Sequence, residues 1–368
     1  MDNGVAIITL DSPGVKMNSL NEEVMRDMEA IFNECQSRAD IKAAVLISGK
    51  IGCFIAGADI NMIESCKTAE EAQRLSRECQ EFLQRVEDSS KPVVAAIMGP
   101  CLGGGLETAM ACHYRVAVEG KDVQTGFGQE SCKKNVTKDP KNKKKNRESL
   151  FIFLLRFHEF SMIIFVGMKT SMGLPEVMLG LLPGGGGTQR LPKLVGLPNA
   201  LPMVLTGKNL TAKKAKKAGL VDTVVEALGP GLAPADITTH KYLEQVAVDV
   251  ARNIADDKVK APVRGKPKNL MEKVTKFALQ YDFAKDIVFD KAKDQVMKQT
   301  NGLYPAPLKI LEVVRAGLDK GPKEGYKAEH TGFGELAATS ESGALIGLFH
   351  GQTECKKNKF GKPAKPSK

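Results

Sequence analysis

The chain has 368 residues, 42% of them hydrophobic, and a formal net charge of +10 at pH 7. This length suffices for two domains, or for one large domain with an extension. The positive charge favours an anionic ligand, an acidic membrane surface or nucleic acid, but no aromatic-studded basic motif supports nucleic-acid binding. The eight cysteines form no CxxC pair and no zinc-type cluster with histidine, so we expect free thiols and no metal site.

Short apolar runs alternate with helical patterns over the first 120 residues. Buried strands are predicted at residues 5–10, 43–48, 93–97 and 114–118. Helices with one apolar stripe are predicted at 21–36 and 69–86. Strands that alternate with helices favour a layered α/β domain.

Residues 122–168 interrupt this pattern. Their first half is polar and basic, which predicts disorder. Their second half, LFIFLLRFHEFSMIIFVGM, approaches the length of a transmembrane span. Arg156, His158 and Glu159 lie near its centre, where charges are least favourable in a bilayer. We therefore expect an exposed apolar loop or an added helix at this place.

The α/β pattern resumes with a strand-like KTSMG at 169–173, followed by helical segments to about 226. A helical extension is predicted at 229–354, and the end at 355–368 has the composition of a linker. The N-terminus enters strand-like sequence directly, without a signal peptide or an Arg-rich presequence. This predicts a cytoplasmic protein, or one whose leader is absent from the sequence.

The stretch CLGGGLETAMAC at 101–112 places three glycines between a buried strand and an apolar helix. Glycines at such a turn let a backbone N–H approach a ligand closely. The helix N-terminus behind them adds the positive end of a dipole. The pattern predicts an oxyanion site at the glycines, with Glu107 in the first turn of the helix.

A second loop, CFIAGADI at 53–60, ends an apolar strand in small residues that offer another backbone N–H. A second carboxylate, Glu176, follows Pro175 at the expected start of a helix. Two N–H donors and two carboxylates are the groups needed to polarise a thioester carbonyl and to move protons at its α and β carbons. Each feature alone has a structural interpretation, as a helix-dipole partner or a turn, so the combination carries the prediction.

The glycine-rich stretch PGGGGTQR at 183–190 lacks the GK[ST] ending of a phosphate-binding loop. No GxGxxG, GxSxG or HExxH motif occurs, and the five histidines suggest no triad. These absences argue against phosphate-loop, dinucleotide, serine-hydrolase and zinc-protease chemistry.

Three segments of the chain resemble the crotonase, or enoyl-CoA hydratase/isomerase, superfamily: AVLISGKIGCFIAGADINM, KPVVAAIMGPCLGGGLETAMACHYRVA and GLPEVMLGLLPGGGGTQRLP. Within it, the chain is most similar to the hydratase part of trifunctional enzymes of mitochondrial fatty-acid β-oxidation. The implied fold is α/β, a repeated ββα spiral core with a helical C-terminal extension. The hydratase domain would span 1–228, interrupted by an insertion at 122–168.

Carried over by motif, the backbone N–H groups of Ala56 and Gly104 would form the oxyanion hole, with Glu107 and Glu176 as the acid/base pair. The resemblance also implies substrate-binding positions in the same loops: Gly57, Ala58, Asp59, Ile60, Gly103, Gly105 and Pro175. The implied reaction adds water across a trans-2-enoyl-CoA, of long chain, to give 3-hydroxyacyl-CoA. Glu107 is favoured as base and Glu176 as acid, with shared roles as the alternative.

The resemblance implies no cofactor for hydration, because coenzyme A is part of the substrate. It implies no NAD site in this chain, and hence no dehydrogenase activity. It further implies an oligomer with a thiolase beta subunit as partner, peripheral contact with the inner membrane, and a mitochondrial location.

The two glutamates are 69 residues apart, a much longer separation than in the family, and the excess matches the insertion at 122–168. Lengthening a hairpin loop to that extent costs only about 2 kcal/mol of closure entropy, which a domain tolerates. Two alternatives stay open: a catalytically impaired chain that only docks to a partner or a membrane, and an enoyl-CoA isomerase. Two carboxylates favour hydration, since many isomerases use one.

Overall fold

The structure, a computed structural model, describes residues 4–120, 169–229, 231–266 and 270–356. The predicted insertion at 122–168 lies outside the described residues, as does the predicted tail beyond residue 356. Nothing in the structure therefore bears on those two predictions.

The main sheet consists of β1 (Val5–Leu10), β2 (Ala43–Ser48), β3 (Val93–Ile97), β5 (Tyr114–Glu119) and β8 (Thr223–Glu226). Its strands are all parallel, in the order β1-β2-β3-β5-β8. The residues of β2 and β3 are buried throughout, which is typical of a parallel sheet covered on both faces. The four strands predicted before residue 120 are confirmed. The helical prediction up to 226 is wrong at β8, where two adjacent valines extend along β5 instead.

A smaller sheet brings two functional segments together. It consists of β4 (Pro100–Leu102), β6 (Ser171–Gly173) and β7 (Leu210–Thr211). β4 pairs in parallel with β6, and Leu102 lies opposite Gly173. The Gly103 amide continues this pairing by donating to the Gly173 carbonyl at 2.9 Å. The loop that leads to Glu107 therefore begins beside the segment that leads to Glu176.

The helices before residue 220 pack mainly on one face of the main sheet. They are α1 (Glu22–Ser37), α2 (Ile60–Glu64), α3 (Ala69–Glu87), α4 (Gly104–Ala111), α5 (Gly187–Val195), α6 (Leu197–Thr206) and α7 (Ala212–Ala218). Asn21 and Thr68 cap α1 and α3, because each side-chain oxygen accepts a backbone N–H of the first turn. Phe32 of α1 and Phe82 of α3 meet edge to face at 6.0 Å within this core.

The predicted helical extension is built of α8 (Ala235–Ala255), α9 (Leu270–Ala278), α10 (Asp282–Thr300), α11 (Pro305–Lys320), α12 (Pro322–Ala337) and α13 (Ser340–Lys356). Helix α8 covers the second face of the sheet, where Leu243, Ala247 and Val248 pack among the valines of β2 and β3. Helix α12 packs along α3. The extension therefore completes the core of the α/β layers, and the boundary at 228 stays a prediction. Within the described ranges, no helix is long and apolar enough to cross a membrane.

Candidate active site

A cavity of about 1070 Å³ lies where β2 and β3 end. Most of the predicted site residues line it: Ala56, Gly57, Ala58, Ile60, Gly103, Gly104, Glu107, Pro175 and Glu176. Asp59 and Gly105 were expected to line it too, but they do not. The Asp59 side chain caps α2 by accepting the Asn61 N–H at 3.0 Å. Gly105 faces Ile55, whose carbonyl oxygen would lie 2.4 Å from a Cβ at that position.

Glu107 lies in the first turn of α4 and is 3% exposed. Its Oε1 accepts hydrogen bonds from the amides of Gly185, at 2.8 Å, and Gly187, at 2.7 Å. Burial, and then the neighbouring carboxyl groups of Glu176 and Glu329, raise the pKa of Glu107 above its ordinary value. The two amide donors act in the opposite direction, because they stabilise the carboxylate. They also fix the side chain in one orientation.

Glu176 begins the 3₁₀ turn Glu176–Leu179, directly after Pro175. The residue is only partly buried, but its Oε2 is shielded from solvent and finds no hydrogen-bond partner among the described residues. Burial raises the pKa of Glu176 to about 8. Burial therefore favours the protonated form of this side chain, which suits a general acid. The structure thus brings both predicted carboxyl groups to one cavity.

Glycine is required at position 103 because the Glu176 side chain lies against the backbone there. A Cβ on Gly103 would lie 2.9 Å from Glu176 Oε1. The φ angle of Gly103 is also +52°, in the left-handed region. The three glycines of the sequence motif thus serve three purposes: room for Glu176, an amide at Gly104 that no described residue accepts, and close packing of Gly105 on Ile55.

The structure does not favour the predicted oxyanion role of Ala56. Its amide N–H donates to the Asn18 carbonyl at 2.8 Å and so is already engaged. Asn18 is fully buried, and its side-chain Nδ2 donates to the carbonyls of Leu10 and Phe54, which holds this part of the loop. The Ala56 amide is therefore structural, and the second donor has to come from another residue of the loop.

Ala58 is better placed than Ala56. Leu20 donates to the Gly57 carbonyl at 2.9 Å and accepts from the Asp59 amide at 2.8 Å. In such a parallel bridge the intervening residue, Ala58, turns its own N–H to the other side. That amide nitrogen lies 3.6 Å from the place of a Cβ on Gly104. No described residue accepts a hydrogen bond from the Ala58 or Gly104 amide, so both N–H groups are available to a ligand oxygen in the cavity.

The cavity wall carries both charged and apolar side chains. The cations Lys16 and Arg26 lie on it, together with the carboxylates of Glu22, Glu29 and Glu78. Apolar side chains from α3, α12 and α13 form much of the remaining wall: Leu75, Phe82, Phe333, Leu345, Leu348 and Phe349. The contribution of α13 was not predicted, because its sequence carries no motif and its position depends on packing against the 3₁₀ turn.

The glycine-rich stretch at 183–190, which was only excluded as a phosphate loop, forms the support of Glu107. A Cβ on Gly185 would lie 2.8 Å from Glu107 Oε2, and a Cβ on Gly187 would lie 2.7 Å from Glu107 Oε1. The carboxylate therefore rests directly on the backbone of this loop. The run of four glycines was the sequence signal for this support, because a backbone without side chains can approach a carboxylate closely.

No group of three His, Cys, Asp or Glu side chains within the described ranges could hold a metal ion. The described cysteines are free thiols. Among them, Cys79 lies beside Glu107 and lines the cavity, and burial raises its thiol pKa to about 12. Such a thiol stays protonated and acts as an apolar wall residue.

The parallel sheet, the covering helices and the paired carboxyl groups define a known class of protein. The model of the enoyl-CoA hydratase/isomerase family matches residues 1–137 and 155–295, and the chain belongs to this family. The unmatched residues 138–154 lie inside the predicted insertion, and the match passes the predicted boundary at 228.

Curated relatives are similar along nearly the whole chain. The alpha subunit of the fatty acid oxidation complex of Shewanella amazonensis is 39% identical over 367 residues, which is 100% of this chain and 42% of that protein. The corresponding subunit of Idiomarina loihiensis is 41% identical over 365 residues, 99% of this chain and 42% of that protein. The chain thus spans about two fifths of the length of these relatives.

A crystal structure of an enoyl-CoA hydratase from Geobacillus kaustophilus is similar in fold. It covers 96% of this chain and 92% of its own, with a TM-score of 0.50 and 22% sequence identity. At this identity the likeness shows the fold alone. The predicted crotonase-like α/β architecture with C-terminal helices is confirmed.

Proposed function

We propose that this chain is an enoyl-CoA hydratase of fatty-acid β-oxidation, which adds water to a trans-2-enoyl-CoA to give 3-hydroxyacyl-CoA. The observation that carries the proposal is the pair of buried carboxyl groups, Glu107 and Glu176, in one cavity with the amides of Ala58 and Gly104. The β-oxidation context is supported by relatives named as alpha subunits of fatty acid oxidation complexes.

The amides of Ala58 and Gly104 bind the thioester carbonyl oxygen of the substrate. When a nucleophile attacks Cβ, negative charge develops on this oxygen as the enolate forms. The two N–H groups stabilise that charge, and the N-terminus of α4 adds its positive dipole end. Both donors belong to backbone fixed by neighbouring pairings, so they need no reorganisation during the reaction.

The two carboxyl groups hold the attacking water. Glu107 takes a proton from the water while the oxygen forms its bond to Cβ. Glu176 gives its proton to Cα as the enolate collapses to the thioester. We favour Glu107 as base because two amides stabilise its carboxylate, and Glu176 as acid because burial raises its pKa to about 8. Burial raises the pKa of Glu107 as well, so shared roles stay the alternative. Proton exchange through water then restores the starting state, and no cofactor takes part beyond the coenzyme A of the substrate.

A long acyl chain fits the size and lining of the cavity. Its volume of about 1070 Å³ lies slightly above the usual range for small-molecule pockets, roughly 300–1,000 Å³. Its wall includes apolar side chains from three helices, α3, α12 and α13. Burial of a long alkyl chain against this wall contributes about 0.8 kcal/mol per CH₂ group.

The proposal is tested by hydration of trans-2-hexadecenoyl-CoA, followed by loss of the enoyl absorbance. Glu107→Gln and Glu176→Gln should each lower kcat by about 10²–10⁴. Glu81→Gln, on the exposed face of α3, is the matched control and should leave kcat unchanged. Near-normal turnover in either cavity variant, or no turnover by folded wild-type protein, would overturn the assignment.

The same preparation separates the two alternatives. Conversion of a cis-3-enoyl-CoA to its trans-2 isomer without hydration would indicate an isomerase. Folded protein without either activity would leave a docking function only. Association with a thiolase beta subunit, contact with the inner membrane and a mitochondrial location stay predictions from the resemblance.

A further inference from the structure

The glycine-rich loop that supports Glu107 binds a second buried carboxylate. The amides of Gly185 and Gly187 donate to Glu107 Oε1. The amides of Gly186 and Thr188 donate to Glu329, the latter at 2.9 Å. Successive amides of one loop therefore alternate between two carboxylates. Because the four amides are consecutive, a peptide rotation that turns one N–H away from Glu107 also turns the neighbouring N–H away from Glu329.

Glu329 lies on α12 and is fully buried. Besides the loop amides, it accepts the Thr188 hydroxyl and the Gln80 Nε2, the latter at 2.8 Å. The Gln80 Oε1 in turn accepts from His330 Nδ1 at 3.0 Å, which orients the amide group with its nitrogen toward Glu329. This carboxylate is saturated with donors and has no place in the hydration steps. It is connected to Glu107 by the loop whose alternate amides bind the two carboxylates, and its charge also raises the pKa of Glu107.

The loop has little freedom to adjust by itself. Gly186 has a φ of +98°, and a Cβ there would lie 2.0 Å from Arg190 Nη1. Two carbonyls of the loop also accept hydrogen bonds. The Ser76 hydroxyl donates to the Gly184 carbonyl and the Arg190 guanidinium to the Gly185 carbonyl, each at 2.6 Å. Among the described residues, Glu329 is the acceptor for the even-numbered amides of Gly186 and Thr188. The extension also contacts this stretch elsewhere, where Gln189 Nε2 donates to the Val313 carbonyl at 3.2 Å.

We propose that Glu329 is a positioning residue for Glu107. It binds the even-numbered amides of the loop and so turns the odd-numbered amides toward the catalytic carboxylate. The inference rests on the proposed function of Glu107. It gives α12 a role in the reaction although none of its carboxylates lines the cavity.

The first test is Glu329→Gln, which keeps the shape of the side chain but replaces one acceptor oxygen with a donor that faces other donors. Because an error of about 1 Å at the reacting groups costs up to about 100-fold, kcat should fall about 10- to 100-fold. KM should change by about 2-fold or less, because the cavity wall is intact. Glu335→Gln, which removes an exposed carboxylate of the same helix, is the control and should leave kcat unchanged.

The second test separates positioning from simple stabilisation. In a Glu107→Gln background there is no carboxylate left to position, so adding Glu329→Gln should lower kcat by about 2-fold or less. An equal loss in both backgrounds, or kcat of the single variant close to wild type, would overturn the proposal. If Glu329→Gln does not fold, Thr188→Val carries the test, because it removes only one donor to Glu329 and should give a smaller loss of kcat.

Hydrogen exchange provides a readout that does not depend on activity. The amides of a peptide covering 183–190 should exchange faster in Glu329→Gln than in wild type and in Glu335→Gln. Unchanged exchange would overturn the positioning role. Wild-type protein without hydration but with this change in exchange would instead reject the proposed function and retain the link between Glu329 and the loop.

Discussion

Replacement of Gly187 by alanine should damage the reaction more than the fold. A Cβ at this position would lie 2.7 Å from Glu107 Oε1 and 2.7 Å from the Cβ of Pro183. Restoring an ordinary contact of 3.4 Å requires a displacement of about 0.7 Å, and Pro183 blocks movement of the new methyl group away from the carboxylate. The catalytic group itself therefore has to shift. We expect kcat to fall about 10- to 100-fold, and the free energy of unfolding to fall by about 1–3 kcal/mol.

The assay is steady-state hydration of the enoyl-CoA, together with urea denaturation of the same preparations. Gly343→Ala is the control, because this exposed glycine of α13 has no atom within 4 Å of the place of a Cβ. There alanine should stabilise the helix by up to about 1 kcal/mol and leave kcat unchanged. Folded Gly187→Ala protein with wild-type kcat would refute the view that Glu107 rests on this loop.

Two further predictions concern pH and stability. Since burial raises the pKa of Glu176 to about 8 and the acid step needs its proton, kcat/KM should fall about tenfold per pH unit above that value. Glu176→Gln should remove this limb, and a flat wild-type profile up to pH 10 would contradict the acid role. Arg115 is 1% exposed and binds the Asp222 carboxylate at 2.6 Å. Arg115→Met should lower the free energy of unfolding by about 3–5 kcal/mol, measured in urea, and a change below about 1 kcal/mol would contradict this.

The sequence by itself determined the elements whose signals are local. The apolar runs of β2 and β3 can be recognised because every residue of these two strands is buried, so each strand is apolar along its whole length. Glu107 and Glu176 were also predicted from local signals. Three glycines shortly precede Glu107, and Pro175 directly precedes Glu176. The resemblance to a family then combined these local signals into one site.

Local patterns were insufficient where pairing decides the outcome. Residues 223–226 are too short to show a period, and their strand exists because β5 offers an open edge. The amides of Ala56 and Ala58 are equivalent in sequence, and only the bonds to Asn18 and Leu20 show which one is free to face the cavity. Hydrogen bonds between distant segments leave no periodic trace in either partner.

The support of the site was decided by tertiary structure alone. Glu107 binds amides 78 and 80 residues away, and Glu329 reaches Gly186 across 143 residues. In sequence, Glu329 is one more glutamate on an amphipathic helix. It becomes part of the site because α12 packs along α3 and brings a buried carboxylate to amides that burial leaves without water. The sequence therefore identified the two carboxyl groups that we propose for the chemistry, and the packing of the C-terminal helices decided what surrounds the loop that holds Glu107.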